Sequence, residues 1–114
     1  MPKKSFTEGN WKRNPWFRAL CKALLSCKSE QEMAGFLRDI ATLSELKSLS
    51  ERLEMAKQLA AGRPQRDVAE SIDASTTTVA RVSLFLKSGT GYKNALNALH
   101  HHLPSRRKKM ASMV

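Results

Sequence analysis

The chain has 114 residues, enough for one compact domain and too few for two ordinary ones. Twenty lysines and arginines against ten acidic residues give a formal net charge of +10, while 41% of the residues are hydrophobic and only 6% are aromatic. This composition argues against global disorder and an all-β sandwich. No apolar run approaches the roughly 20 residues of a membrane span, and two cysteines cannot form a disulfide framework. We therefore expect a basic, helical, cytoplasmic protein.

The basic residues are concentrated at the two ends of the chain. Residues 1–28 carry a net charge of +6 and residues 94–114 carry +4, whereas residues 29–62 carry −2 and residues 63–93 carry +2. Such a distribution predicts a packed scaffold with polyanion-binding ends. A surface charge that only keeps the protein soluble is the alternative.

Residues 1–13 show no hydrophobic periodicity and are predicted to be a flexible basic arm. A first helix is predicted to begin near Pro15, because proline is favoured in the first turn of a helix. Its apolar residues recur three and four positions apart, which places them on one face. These residues are Trp16, Phe17, Leu20, Cys21, Leu24 and Leu25.

Two more amphipathic helices are predicted to follow. Ser29 and Glu32 form a Ser-x-x-Glu capping box at the start of the second helix, and Ser44 is predicted to cap the third. The third helix contains an apolar seam typical of a helix packed along another helix, and Gly62 is predicted to end it. The seam consists of Leu46, Leu49, Leu53, Ala56 and Ala60.

Residues 64–87 show the pattern of a helix-turn-helix. Pro64 is predicted to open a short helix, Asp73 to break it, and Ser75 to cap the helix that follows. Small polar side chains are left at the outward, N-terminal end of this second helix. The residues predicted to face inward from it are Val79, Val82 and Leu86.

The outward residues of the second helix suit contact with duplex DNA. A recognition helix enters the major groove by its N-terminal end, where threonine offers a hydroxyl to base edges and a methyl to thymine. Arginines at the start of the preceding helix can hold the phosphate backbone. The predicted base contacts are Thr76, Thr77 and Ala80, and the predicted phosphate or positioning contacts are Arg63, Arg66, Ser75, Thr78 and Lys87. A structural helix hairpin with an exposed threonine-rich turn is the alternative.

A last helix is predicted after the Ser-Gly-Thr-Gly stretch that follows Lys87. The helical DNA-binding domain should therefore span residues 14–103. Residues 104–114, which include four consecutive basic residues, are predicted to be a disordered tail that either adds affinity for DNA or is simply solvated. The residues predicted to face inward from the last helix are Tyr92, Ala95, Leu96 and Leu99.

Several short motifs occur in a fixed order between residues 42 and 96. They are RLEMAK at Arg52–Lys57, DVAE at Asp67–Glu70, AST at Ala74–Thr76, TVARV at Thr78–Val82 and GYK at Gly91–Lys93. Any one of them alone would be weak evidence, but the stretch over which they occur in order is about half of the chain. In this order they resemble the Trp repressor superfamily, most closely its YerC/YecD branch.

The resemblance implies an all-α, six-helix fold that binds DNA as a homodimer with intertwined N-terminal helices. In the Trp repressor itself L-tryptophan lies between two arginines, and Arg52 and Arg81 match those positions; phosphate contact or pairing with a carboxylate is the alternative for them. The residue that follows the second arginine is glycine in the tryptophan-binding branch. In this sequence it is Val82, whose side chain would occupy the space of an indole. We therefore expect no cofactor, with L-tryptophan or another small effector disfavoured. Asp73 replaces the usual turn glycine, and aspartate tolerates a left-handed conformation.

No combination of residues in the sequence predicts a catalytic or metal site, so we expect no enzyme. The predicted function is sequence-specific binding of double-stranded DNA by a dimeric transcriptional regulator, a repressor associated with a bacterial nucleoid. It would read the major groove with the helix that starts near Ser75. A transposon-associated protein that binds DNA ends and a basic protein that binds RNA or the ribosome are the alternatives.

Overall fold

The computed structural model describes residues 6–100, and this part of the chain contains helices and no strand. The predicted all-α, six-helix fold is confirmed. The first five residues of the predicted arm and the predicted tail, residues 104–114, lie outside the described residues. A short 3₁₀-helix, Trp11–Arg13, precedes α1 (Pro15–Ser26), α2 (Glu30–Ile40), α3 (Leu43–Ala60), α4 (Gln65–Ile72) and α5 (Thr76–Ser88), and residues 91–100 form α6.

The chain divides into two compact units, Met1–Leu46 and Lys47–Val114. The first contains α1, α2 and the first residues of α3. The second contains the remainder of α3, together with α4, α5 and α6.

Residues 6–13, which belong to the predicted arm, form a turn followed by the 3₁₀-helix. The carbonyl oxygen of Thr7 accepts backbone hydrogen bonds that close a turn before the 3₁₀-helix. The rings of Phe6 and Trp11 meet the ring of Phe17 edge-to-face, at centroid distances of 5.9 and 5.4 Å. Isolated aromatic residues give no periodic pattern, yet here they hold the segment against α1.

The first two helices begin where the sequence predicted. The side chain of Asn14 caps α1 by accepting hydrogen bonds from the two backbone N–H groups that follow Pro15, at 2.9 and 3.1 Å. Ser29 caps α2, since its hydroxyl accepts the backbone N–H of Glu32 at 3.1 Å. Both caps satisfy donors that the first turn of a helix leaves without a partner.

The cap of α3 is Thr42, and the prediction of Ser44 is wrong. The Thr42 hydroxyl accepts the backbone N–H of Glu45 at 3.0 Å, and the Glu45 carboxylate accepts the backbone N–H of Thr42 at 2.8 Å. The capping box requires a carboxylate three residues after the cap, and that spacing selects Thr42. The hydrogen bond from the Thr42 N–H lowers the pKa of the Glu45 carboxyl.

The second unit contains a compact core formed by α3, α4 and α5, against which α6 packs. The prediction for α3 was partly wrong: Leu49 of the predicted seam is 52% exposed, whereas Met55, outside that seam, is buried. In α6, Ala95 was predicted to face inward and is exposed. Periodicity shows which side of a helix is apolar but not which side its neighbours cover. The buried apolar residues are Met55, Ala56, Val68, Ala69, Val79 and Val82.

The first unit differs sharply from the second, because no apolar side chain among its described residues is buried. Trp16 and Leu25 of α1 are 63% and 84% exposed, and Ile40 and Leu43 are 55% and 64% exposed. The amphipathic helices predicted from the sequence are therefore formed, and their apolar faces remain open in the single chain.

Candidate nucleic-acid interface

The turn between α4 and α5 is built around Asp73. Its backbone is left-handed, with φ 59° and ψ 50°. The N–H of Asp73 donates to the carbonyl oxygen of Glu70 at 3.3 Å, and the N–H of Ala74 donates to that of Ala69 at 2.9 Å. These bonds satisfy the last carbonyls of α4 and reverse the chain within two residues. The prediction that aspartate would support this turn in place of glycine is confirmed.

Burial on both sides of the turn fixes α4 against α5. Val68 of α4 and Val79 of α5 are fully buried, and Val82 of α5 lies in the same core. Because such a core is close-packed, the two helices form a rigid pair and the opposite face of α5 is left outward. Of the residues predicted to face inward from α5, Leu86 is only half-buried.

The N-terminus of α5 is capped by Ser75, as predicted. The Ser75 hydroxyl accepts the backbone N–H of Thr78 at 3.1 Å, and the hydroxyls of the two residues share a hydrogen bond of 2.9 Å. Thr78 is half-buried. The two side chains are thus joined to each other and define where the helix begins.

Thr76, Thr77 and Ala80 are all exposed at the start of α5. They lie within the first turn and a half of the helix, near its positive end, where the backbone favours an anion such as a phosphate. No large side chain stands among them, so another molecule can come close to this part of the helix.

Arg63 is held in place by the end of α3. Its guanidinium donates to the side-chain oxygen of Gln58, and its backbone N–H donates to the carbonyl oxygen of the same residue at 3.1 Å. The hydroxyl of Ser71, on α4, donates to that side-chain oxygen at 2.9 Å. Gly62, with φ 97°, permits the chain to turn there. Arg63 is therefore positioned by both helices.

Gln58 links this arginine to a carboxylate. Its amide nitrogen donates to Glu54 at 3.0 Å, and this hydrogen bond, with a smaller contribution from nearby Lys57, lowers the pKa of the Glu54 carboxyl. Gln58 was not predicted from the sequence to belong to the site. The only available signal was its position four residues after Glu54 and five before Arg63, which is common in any helix.

The other predicted phosphate contacts, Arg66 and Lys87, are exposed in the first turn of α4 and the last turn of α5. The backbone carbonyl of Lys87 accepts a hydrogen bond of 3.0 Å from the ammonium of Lys93. Within residues 6–100 neither Arg66 nor Lys87 forms an ion pair, and the same holds for Arg63. The positive charge of these three residues is thus available to a polyanion.

The two arginines considered for an effector are both exposed. The guanidinium of Arg81 lies over the ring of Phe85, with its central carbon 4.9 Å from the ring centroid. Val82, which follows Arg81 in the sequence, is buried in the core. Within residues 6–100 neither Arg52 nor Arg81 forms an ion pair.

Leu84 and Phe85 are exposed on α5, by 59% and 42%, and no role was predicted for them from the sequence. Leu84 lies four residues after Ala80 and seven after Thr77, so all three share one side of the helix. This spacing was readable in the sequence. The outward face of α5 is therefore polar at its N-terminal end and apolar further along.

The fold and this exposed helix define the class of helix-turn-helix DNA-binding proteins. Residues 16–100 match the sequence profile of the Trp repressor protein family. The uncharacterized protein YerC of Bacillus subtilis (strain 168) is 35% identical over 79 residues, which are 68% of this chain and 76% of YerC. The crystal structure of a TrpR-like protein from Eubacterium eligens matches with a TM-score of 0.73 and 37% identity, covering 79% of this chain and 94% of that one.

The chain therefore belongs to the Trp repressor family, and its similarity to YerC confirms the predicted branch. Proteins of this family are DNA-binding regulators and not enzymes. Between residues 6 and 100 no three histidine, cysteine or acidic side chains are grouped to hold a metal ion. In the same part of the chain no helix combines the length and apolar character needed to cross a membrane.

Proposed function

We propose that this protein is a dimeric transcriptional repressor that binds a specific operator and blocks access to a promoter, at the nucleoid in the cytoplasm of a bacterium. The observation that carries the proposal is the exposed, small-sided N-terminus of α5 on a rigid α4–α5 pair. A helix presented in this way can enter the major groove. The family supports DNA as the partner.

The side chains have different roles in DNA binding, and their surroundings decide which role each one has. Thr76, Thr77 and Ala80 contact base edges, because they are exposed and small. Arg66 and Lys87 contact phosphates, and Arg63 does so from the orientation that α3 gives it. Ser75 and Thr78 act as positioning residues, because their hydroxyls are bonded to each other. Phosphate contacts set the register of the protein on the duplex, while base contacts read its sequence.

The open apolar faces of the first unit support the homodimer. Apolar surface of this kind on a small protein marks an interface with another molecule. Both α1 and α2 present it, and no apolar residue of either helix is buried. A second copy of the chain with intertwined N-terminal helices would cover these faces and supply the second reading helix that a symmetric operator requires.

The first experiment selects the preferred duplex. Short genomic duplexes are incubated with the full chain and heparin at two salt concentrations, and the bound fraction is sequenced. We expect a two-fold-symmetric motif with half-sites about one helical turn apart. Bound DNA without any motif, lost at the higher salt, would contradict specific operator binding by the protein alone.

The Thr77→Glu substitution tests whether α5 is the reading helix. A carboxylate facing the groove meets the phosphates and base acceptors, and such repulsion costs several kcal/mol, so affinity for the selected duplex should fall by about a hundredfold or more. Ser50→Glu adds the same charge at an exposed position of α3 and should change affinity little. Filter binding measures both variants, and circular dichroism confirms that both are folded.

Wild-type affinity in the Thr77→Glu variant would show that α5 does not enter the groove. The helix-turn-helix would then have only a structural role, as in a protein that binds RNA or the ribosome. Binding of labelled ribosomal RNA is measured beside binding of the duplex. This second measurement distinguishes a protein that binds RNA from one that has lost all nucleic-acid binding.

A further inference from the structure

The start of the described chain carries a positive charge that its surroundings do not balance. Residues 6–28 contain five basic residues and one acidic residue. The helix α1 itself has no acidic residue, not even in its first turn, where the helix dipole favours one. The neighbouring helix α2 has the opposite composition, with three acidic residues and one basic residue. The basic residues of α1 are Arg18 and Lys22, so α1 is positively charged and α2 is negatively charged.

Arg18 and Lys22 stand close together on that helix. They are four residues apart, which places them about 6 Å apart along the axis and about 40° apart around it. The apolar residues Trp16, Leu20 and Leu24 lie on the opposite side. The outer face of α1, defined here as Arg18 together with Lys22, is therefore a positively charged surface.

Both side chains are exposed, and in the described residues neither of them forms an ion pair or a hydrogen bond. Like charges four residues apart destabilise a helix slightly, and Arg18, a cation in the first turn of α1, opposes the helix dipole. The arrangement therefore works against the stability of α1 in isolation. A bound polyanion would relieve both effects, whereas a need for solubility alone would not require the charges to be adjacent.

We propose that the outer face of α1 is a second DNA-contact surface, which binds the phosphate backbone of duplex DNA. The inference rests on the proposed function for the identity of the partner. Charge complementarity carries it: two adjacent uncompensated cations on one face suit a backbone with one negative charge per roughly 1.7 Å of helix axis. This contact is independent of sequence, so it adds affinity without altering which motif is preferred.

The salt dependence of binding tests the surface. In the full chain, Arg18→Gln combined with Lys22→Gln removes two cations from α1, and affinity for the selected duplex is measured over a range of salt concentrations. The slope of log K against log salt should become shallower by about 1.8 for each α1 that contacts the backbone, with the selected motif unchanged. The combination of Arg18→Lys with Lys22→Arg keeps the charges and should keep the wild-type slope.

The matched control is Lys47→Gln combined with Lys57→Gln. It removes the same charge from lysines that are paired with Glu51 and Glu54, and we expect a smaller change of slope. Should the Arg18/Lys22 double variant unfold, Lys22→Gln alone should still reduce the slope, by about 0.9.

An unchanged slope in the folded double variant would overturn the inference. The proposed function would survive that result if Thr77→Glu still abolished binding, and it would fail separately if Thr77→Glu had no effect. A basic helix with an open apolar side also suits an anionic bilayer. Retention of the slope together with loss of binding to phosphatidylserine vesicles would assign the surface to membranes and overturn its assignment to DNA.

Discussion

The guanidinium of Arg81 already has an aromatic partner within the chain. It lies over the Phe85 ring, and Val82 beside it fills part of the core. A cation over an aromatic face is stabilised by the ring quadrupole, most strongly where water is excluded. An indole that approached this arginine would have to displace Phe85 and would find no cavity at position 82.

We therefore predict that L-tryptophan does not change the affinity of the protein for its operator. Operator affinity is measured by fluorescence anisotropy with and without saturating L-tryptophan, and titration calorimetry on the protein alone checks for binding. Val82→Gly combined with Phe85→Ser opens the space and is the variant in which a response would be expected. Tighter operator binding by the wild-type protein in L-tryptophan would refute the prediction.

Single residues also show which parts of the site the sequence could reveal. Ser75 and Asp73 were predictable, because a cap and a left-handed turn are set by a few neighbouring residues. The support of Arg63 by Gln58 and Ser71 was not, since it joins residues up to 13 positions apart through a turn whose geometry the sequence does not specify. Local chemistry was readable and the contacts between elements were not.

At the level of the helices, boundaries followed the capping chemistry. The start of α3 shows which part of a helix boundary could be predicted from the sequence. Both Thr42 and Ser44 are residue types that cap helices, and Glu45 lies in the first turn. Only the reciprocal pair of hydrogen bonds between Thr42 and Glu45 distinguishes the two candidates. The type and order of the helices were therefore predictable from the sequence. The start of α3 could be predicted only by requiring a carboxylate three residues after the cap.

The two candidates for the cap give a matched stability test. Thr42→Ala removes the hydroxyl that accepts the Glu45 N–H and should lower the free energy of unfolding by about 1 kcal/mol. Ser44→Ala lies inside the first turn and should change it by less than about 0.5 kcal/mol. Urea denaturation followed by circular dichroism measures both. The reverse ranking of the two variants would restore Ser44 as the cap.

Over the whole chain, the two units differ in what covers their apolar side chains. The second unit buries six apolar residues in a core of its own, whereas none is buried among the described residues of the first. The sequence predicted the apolar faces of both units in the same way, because hydrophobic periodicity reports amphipathicity and not the partner. Which apolar faces stay open in one chain became visible only in the structure. This difference between the two units is the reason for proposing a dimer.

We predict that the protein is a dimer whose stability depends on its concentration. Melting temperature should rise with protein concentration, because association stabilises the folded state by mass action. Leu43→Asp places a charge on an apolar position that is 64% exposed in the single chain, and the first turn of α3 tolerates an acidic residue.

In the Leu43→Asp variant, each protomer loses about 2 kcal/mol of the free energy of side-chain burial. The dimer would be weakened by about 4 kcal/mol, close to a thousandfold in Kd. Ser44→Asp adds the same charge one residue further along and should leave the dimer intact. Sedimentation equilibrium measures the mass of all three proteins. A monomeric wild type with a melting temperature independent of concentration would mean that something other than a second copy covers α1 and α2, because their apolar faces are open in the single chain.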